Sequence, residues 1–374
     1  MKLVITEDDQ KRIDQAKKIV DEKRNYYTDK VLESIRQSVR DNTSFLSAID
    51  VEIEMYKTIY FYWAYGCSVS EYYFLNLAEK SHEDIKEYVT VREKVVYRNK
   101  LNRIEDAHLL NNKWETYNLF KEYYNREVFL LTGKEDYQRF SEFVSRHSQF
   151  VVKPTDMGGG TGVHKLSIEK DSSDDEIKRI FEGLLLEKEM NQTLYSRGKE
   201  HSLVLEELIV QASEMSAFHP NSVNAVRVTT VKVGDKVNIV YPWIKIGRNG
   251  AFLTSAVYGT MDACIDSETG VVNTLAYTEK NEVFEKHPDT GVSIIGYKIP
   301  KWNELIALVK TLANKLTNIR YVGWDMVLTK EGWILMEANF SGDFMWQMCL
   351  RRGTKKEFEK MINFHLAKDF WWQE

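Results

Sequence analysis

The hydrophobic period changes near residue 149, and that change limits what the chain can fold into. Before it, apolar residues recur at helical spacing. Ile13, Ala16, Ile19 and Val20 mark a charged segment over 7–40, and Ile49, Ile53, Tyr56, Ile59, Tyr60 and Trp63 mark a richer one over 44–78. Segments 81–101 and 112–125 continue the helical pattern. After it, FVVKP, VHKLSI, LVLEELIV, AVRVTTVKV, KVNIVYPWIKI, VGWDMVL and WILMEA alternate with period two, the signature of half-buried strands. Charged helices are expected over 173–190 and 354–372, the latter running to Phe370, Trp371 and Trp372, and an amphipathic one over 301–318. A helical region followed by a strand-rich α+β region needs more than one core, which 374 residues can supply.

Composition excludes several classes. Charged residues make up 29 % of the chain and aromatics 12 %, a globular balance rather than a disordered one. The net charge of −5 offers no basic domain for nucleic acid. No run of 18 apolar residues occurs, and MKLVITEDDQKRIDQ lacks the apolar core of a signal peptide. The run IYFYWAYG over 59–66 fits either a membrane-surface helix or a buried one. Cys67, Cys264 and Cys349 are isolated, with no CxxC or His cluster, so buried thiols in a reducing compartment are expected. These features point to a cytoplasmic protein.

Four stretches carry chemistry. In Phe150-Val-Val-Lys153-Pro-Thr-Asp-Met-Gly158-Gly159-Gly160-Thr161-Gly162, a strand delivers a lysine, and four glycines in five residues then allow a tight loop. Backbone N–H groups of such a loop can hold phosphate oxygens. No Gly-Lys-Ser/Thr follows, and the next segment is β-like, so neither a Walker A loop nor a dinucleotide fingerprint is present; a flexible hairpin turn is the plain alternative.

In Val322-Gly-Trp-Asp325 through Glu337-Ala-Asn339, Glu337 and Asn339 share a strand face. A three-residue loop at Lys330-Glu331-Gly332 would pair Thr329 with Trp333 and hence Asp325 with Glu337. Two carboxylates and a carboxamide would then converge, a set suited to Mg²⁺. Without a cation, like charges side by side on a sheet are destabilising. Trp324, Met326, Leu328, Ile334, Met336 and Ala338 would lie on the opposite face, in the core.

LVLEELIV, with Glu206, Glu207, Leu208 and Ile209, fits a strand along an adenine ring, with Glu214 in reach of ribose, or else a plain edge strand. Asn224 and Arg227 open a β run, where an arginine can clamp a phosphate or carboxylate or form a surface salt bridge. His164 and His219 are expected to be structural.

Together these stretches resemble the ATP-grasp superfamily, and most closely its sugar-transfer-associated branch. The likeness runs from about Leu109 to Asn339 and includes Leu110-Asn-Asn-Lys113-Trp-Glu-Thr-Tyr as the first lysine motif. The resemblance implies two α+β subdomains clamping ATP between antiparallel sheets, over 109–210 and 211–374, behind a mainly helical region over 1–108. It implies that Lys113 and Lys153 contact ATP phosphates and that Gly158 to Gly162 close over them. Glu206 to Ile209 frame adenine, Glu214 binds ribose, and Asp325, Glu337 and Asn339 hold Mg²⁺. Asn224 and Arg227 face the acceptor or γ-phosphate, with Lys245 as the other candidate cation. Arg227 and Lys153 are the catalytic candidates.

Three positions depart from the pattern. Asn112 stands where many relatives carry Asp, Gly323 where peptide-forming ligases place an arginine, and 252–259 matches poorly. The expected reaction is carboxylate–amine ligation through an acyl phosphate under a lid at 156–162, on small substrates, sugar-linked ones among them. A kinase acting on a sugar-type hydroxyl and a non-catalytic nucleotide-binding scaffold are the alternatives. Oligomeric state is not legible.

Overall fold

The computed structural model describes residues 5–43, 47–195, 202–254 and 258–366. Phe45 and Leu46, Ser255 to Val257, and the Phe370–Trp372 end of the expected final helix lie outside the described residues. Two compact units form. The first comprises 1–100, 274–284 and 343–374; the second comprises 101–273 and 285–342.

The first unit is helical. Thr6 caps helix Glu7–Glu22 in a reciprocal box with Asp9, and Thr28 caps Asp29–Asn42. Helix Ala48–Tyr65 begins at the Ser47 cap and stops at Gly66, whose φ of 68° suits a residue without Cβ. Met55 and Ile59 of this helix close a core with Ala16 and Tyr27, and the Trp63 indole N–H donates to the Tyr27 hydroxyl at 2.6 Å. The IYFYWAYG run is thus packed within its own unit, because Ile59, Phe61 and Tyr65 are all buried. The expected single helix over 81–101 is two, His82–Lys86 and Val91–Leu101. Cys67 and Cys349 here, and Cys264 in the second unit, are buried thiols outside any disulfide.

The second unit holds a four-stranded antiparallel sheet. Its strands are β1 (Val128–Leu131), β2 (Gln149–Pro154), β3 (His164–Ser167) and β4 (Leu203–Glu207), in order β1-β4-β2-β3. The period-two pattern sorts its faces. Phe129, Leu131, Phe150, Val152, Leu203 and Leu205 point to a core with Phe140, Phe143, Phe181 and Leu184 from helices Tyr137–Arg146 and Asp174–Tyr195. Each buried aromatic or aliphatic side chain there contributes about 1.5–3 kcal/mol. Strand β1 was not anticipated: four residues are too short to show a period next to helical segments.

Five further strands of this unit are antiparallel neighbours. They are β5 (Ala225–Val233), β6 (Lys236–Ile246), β7 (Met261–Cys264), β8 (Tyr321–Leu328) and β9 (Trp333–Asn339), in order β9-β8-β5-β6-β7. Pro242 lies inside β6, where a missing N–H would break a ladder. The sheet absorbs it with a bulge: Arg227 pairs with Trp243 and Thr229 with Val240, and Tyr241 takes a φ of 33°. Helix Trp302–Asn314 buries Leu305, Val309 and Leu312.

Candidate active site

Parity places the charged residues of the four-stranded sheet on the face away from the aromatic core. Glu206 pairs across with Val151, and Lys153 lies two residues further along the same face. The Lys153 ammonium is 2.9 Å from the Glu206 carboxylate. Arg126, two residues before Val128 and on the same parity, approaches that carboxylate to 2.7 Å. Glu206 is 4 % exposed. Burial pushes its carboxyl pKa up, but Arg126 and Lys153 outweigh this and bring it down to about 2.

Lys113 is the first residue of helix Lys113–Phe120, whose N–H groups at Trp114 and Glu115 are capped by the Asn112 carboxamide. The same carboxamide donates to Asp156 at 2.9 Å, tying the helix start to the segment before the glycine loop. The Lys113 ammonium donates to the Met157 carbonyl. Desolvation lowers its pKa, opposed by Glu337, so Lys113 feels one of the expected metal carboxylates. In the glycine loop, Gly159, Gly160 and Gly162 have φ of 66°, 80° and 70°. A Cβ on Gly162 would meet Pro154 Cγ at 2.7 Å. Two successive turns close the loop, Thr161 N–H to Gly158 and Val163 N–H to Gly160.

Glu207 accepts the Glu127 N–H at 3.0 Å. Leu208 continues the segment, and Ile209 packs against Ala225, Val327 and Ile334. Glu214 is exposed on a one-turn helix and accepts from the Ser213 hydroxyl at 2.9 Å. Asn224 is fully buried: its amide donates to Gln211, Met215 and His219, and its carbonyl accepts the Gly247 N–H at 3.2 Å. His219 is buried too, bonded to the Ser222 hydroxyl at 2.7 Å, while His164 lies 3.6 Å from Glu187.

On the second sheet, Asp325 does pair with Glu337. The route differs from the expected one, because two deviations cancel. The turn has two central residues, Lys330 and Glu331, so Thr329 bonds Gly332 rather than Trp333, and Trp333 pairs with Leu328. A bulge at Met336 then adds one residue to β9 and returns Glu337 to Asp325. The shift also changes faces. Leu335 pairs with Met326 and takes the core side, while Ile334 and Met336 join Val327, Ala225, Val223 and Ile209 on the site side. Ile334 and Met336 therefore do not share the core face of Trp324, Met326 and Leu328 as expected from strict alternation.

Arg227 makes a two-pronged bond to Asp325, Nε to Oδ1 at 2.6 Å and Nη2 to Oδ2 at 2.7 Å. Its Nη1 lies 3.1 Å from where a Cβ on Gly323 would sit, so Gly323 makes room for the guanidinium. Asn339 donates to Asp325 Oδ2 at 3.3 Å. Burial raises the Asp325 pKa, and Arg227, then Lys245, then Asn339 lower it further than that, so it is held below the usual range. Lys245 reaches this face because it pairs with Ala225, two residues before Arg227.

No group of three His, Cys, Asp or Glu side chains able to hold a metal occurs among the described residues. A carboxamide completes the set instead. Asn339 turns its N–H to Asp325 Oδ2 and keeps its carbonyl oxygen for another partner, Glu337 is half-buried, and Asp325 Oδ1 retains a lone pair beyond its bond to Arg227. Hard oxygen donors of this kind fit Mg²⁺.

The residue that sequence reasoning missed is Arg126. Arg126 lies in YYNREVFLL, at the end of a helical stretch, and its only signal is a charge between aromatic and apolar runs.

A glycine loop between strands, paired lysines and a carboxylate–carboxamide hairpin on a second antiparallel sheet define the ATP-grasp fold. Solved structures with this likeness are distant. D-alanyl-alanine synthetase A from Vibrio cholerae O1 biovar eltor str. N16961 has a TM-score of 0.39 and 16 % identity, covering 68 % of this chain and 65 % of that one. N5-carboxyaminoimidazole synthetase from Staphylococcus aureus, complexed with ADP, gives 0.44 and 10 %, covering 75 % and 60 %. L-amino acid ligase from Bacillus licheniformis gives 0.38 and 13 %, covering 71 % and 55 %. The chain thus spans less than two thirds of the length of each. No curated protein matches it. The sugar-transfer associated ATP-grasp model matches residues 92–363, and the chain belongs to that family. No helix among the described residues is long and apolar enough to cross a membrane.

Proposed function

We propose that this protein is a cytoplasmic Mg²⁺-ATP-dependent ligase that activates a carboxylate as an acyl phosphate for attack by an amine, on small substrates linked to surface-glycan assembly. The observation that carries this reading is the Asp325–Glu337 pair. Two carboxylates meet across a bulged hairpin, one gripped by a buried arginine and the other in the field of Lys113. Hard oxygen donors brought together in this way, beside the carbonyl oxygen of Asn339, are a set that suits Mg²⁺.

In this reading Asp325, Glu337 and Asn339 hold Mg²⁺, which supplies charge neutralisation for a transferring phosphoryl group. Lys113 and Lys153 bind nucleotide phosphates, and Gly158 to Gly162 exclude water above them. Glu206 to Ile209 line the base, with Ile334 and Met336 as its apolar floor, and Glu214 takes the ribose. Arg227 and Lys245 orient an anionic acceptor or the γ-phosphate. Asn224, with its hydrogen bonds spent inside the fold, positions β5 rather than touching substrate. The lysine half spans 109–210 and the metal half 211–374, with 1–108 as a helical region before them.

The test is incubation with Mg²⁺, γ-labelled ATP and hydroxylamine across amino acids and sugar acids, with Asp325→Asn as control. Labelled free phosphate together with a hydroxamate is expected. Label in a hydroxylamine-resistant product would refute the ligase and establish a kinase. Label left in ATP, with no Mg²⁺-ATP binding, would refute both.

A further inference from the structure

One cation ties the two sheets of the second unit together, at the place where the site register is set. Arg126 follows Asn125, a non-glycine residue at φ 43°, and its side chain is 2 % exposed. Its guanidinium makes four hydrogen bonds. Nε donates to Glu206 at 2.8 Å, Nη1 to the carbonyls of Tyr124 at 3.2 Å and Leu335 at 2.8 Å, and Nη2 to the Met336 carbonyl at 3.2 Å, while Nη2 also lies 2.7 Å from the same Glu206 oxygen in the ion pair. The plane lies over the Tyr124 ring at 4.3 Å. Leu335 and Met336 are not arbitrary partners. They lie at the bulge that returns Glu337 to Asp325, and because β9 is the edge of its sheet, carbonyls turned away from β8 have no neighbouring strand to bond. The other end of the same guanidinium fixes Glu206, the carboxylate that also holds Lys153.

We infer that Arg126 is a positioning residue. It locks the Met336 bulge, and so the Asp325–Glu337 pair, to the Glu206–Lys153 strand, which makes nucleotide binding depend on the metal carboxylates. This rests on the nucleotide and metal roles proposed above. A planar fork is required, because a lysine ammonium carries its three donors on one atom and cannot reach Glu206 and the carbonyls of Tyr124, Leu335 and Met336 together. Partners that orient a metal ligand typically contribute 10- to 100-fold in metal affinity.

The test compares ATP binding by calorimetry with and without Mg²⁺ in the full chain, Arg126→Lys and Arg126→Met. A structural role alone would lower both affinities together. The positioning role predicts that the Mg²⁺-dependent gain in ATP affinity falls at least about tenfold in Arg126→Lys, with Mg²⁺-free binding within about threefold of the unmodified protein. Arg126→Lys keeps a charge against Glu206, so it carries the test if Arg126→Met does not fold. Unmodified protein with a Mg²⁺-dependent gain that Arg126→Lys retains in full would overturn this inference alone. Unmodified protein without any such gain would overturn the nucleotide and metal reading, and this inference with it.

Discussion

Replacing Glu206 by glutamine removes the one negative charge between Arg126 and Lys153 while keeping shape. The carboxyl moves from an ordinary 4.5 to about 2 on folding: burial raises it, but Arg126 and then Lys153 lower it by more. A depressed folded-state value means that stability is present above the unfolded pKa and lost as pH falls through the folded one. A shift of that size is worth about 3 kcal/mol at neutral pH and about 1 kcal/mol at pH 3. Glu206→Gln therefore lowers second-unit stability by about 3 kcal/mol at pH 7, and the gap to the unmodified protein closes between pH 4.5 and about 2. Amide exchange by mass spectrometry on peptides from β2 and β4 reads this unit by itself. Exchange about a hundredfold faster in the variant at pH 7 corresponds to that loss. A difference that is small at pH 7, or that stays constant down to pH 3, would refute the attribution to the Arg126–Glu206–Lys153 cluster.

Three further outcomes follow from the site. Asp325→Asn leaves buried Arg227 without its carboxylate, which costs about 3–5 kcal/mol in urea unfolding, and it raises the barrier to phosphoryl transfer by about 2–4 kcal/mol; unchanged labelled-phosphate release would exclude the metal role. Deleting Met336 removes the bulge and joins Glu337 directly to Leu335, which keeps Glu337 opposite Asp325, so Mg²⁺-dependent ATP binding by calorimetry should stay within about tenfold of the unmodified protein; binding lost altogether would show that the pairing of the two carboxylates is not enough. Gly162→Ala puts a Cβ at φ 70° against Pro154, and exchange of the 155–165 peptide should quicken about fivefold, roughly 1 kcal/mol; no change would mean that the loop does not need its left-handed turn.

The sequence by itself determined the kinds of element and the chemistry they carry. Period two over 149–154 and 203–207 placed Lys153 and Glu206 opposite Phe150 and Leu205, because strand alternation is local geometry. The spacing of Glu337 and Asn339 likewise put both on one face. Register was a different matter. Asp325 meets Glu337 only because a shorter turn and an extra residue at Met336 offset each other, and the same offset moved Ile334 and Met336 to the site side. Neither deviation changes the hydrophobic pattern enough to be read from one strand. What each candidate side chain touches was decided later still. Arg126 and Glu206 are 80 residues apart and Arg227 and Asp325 are 98 apart, and no local rule relates them. Sequence period fixes which face a residue takes, since that depends on its own backbone. Which partner waits on that face depends on the strand that packs beside it, and only the tertiary structure contains that.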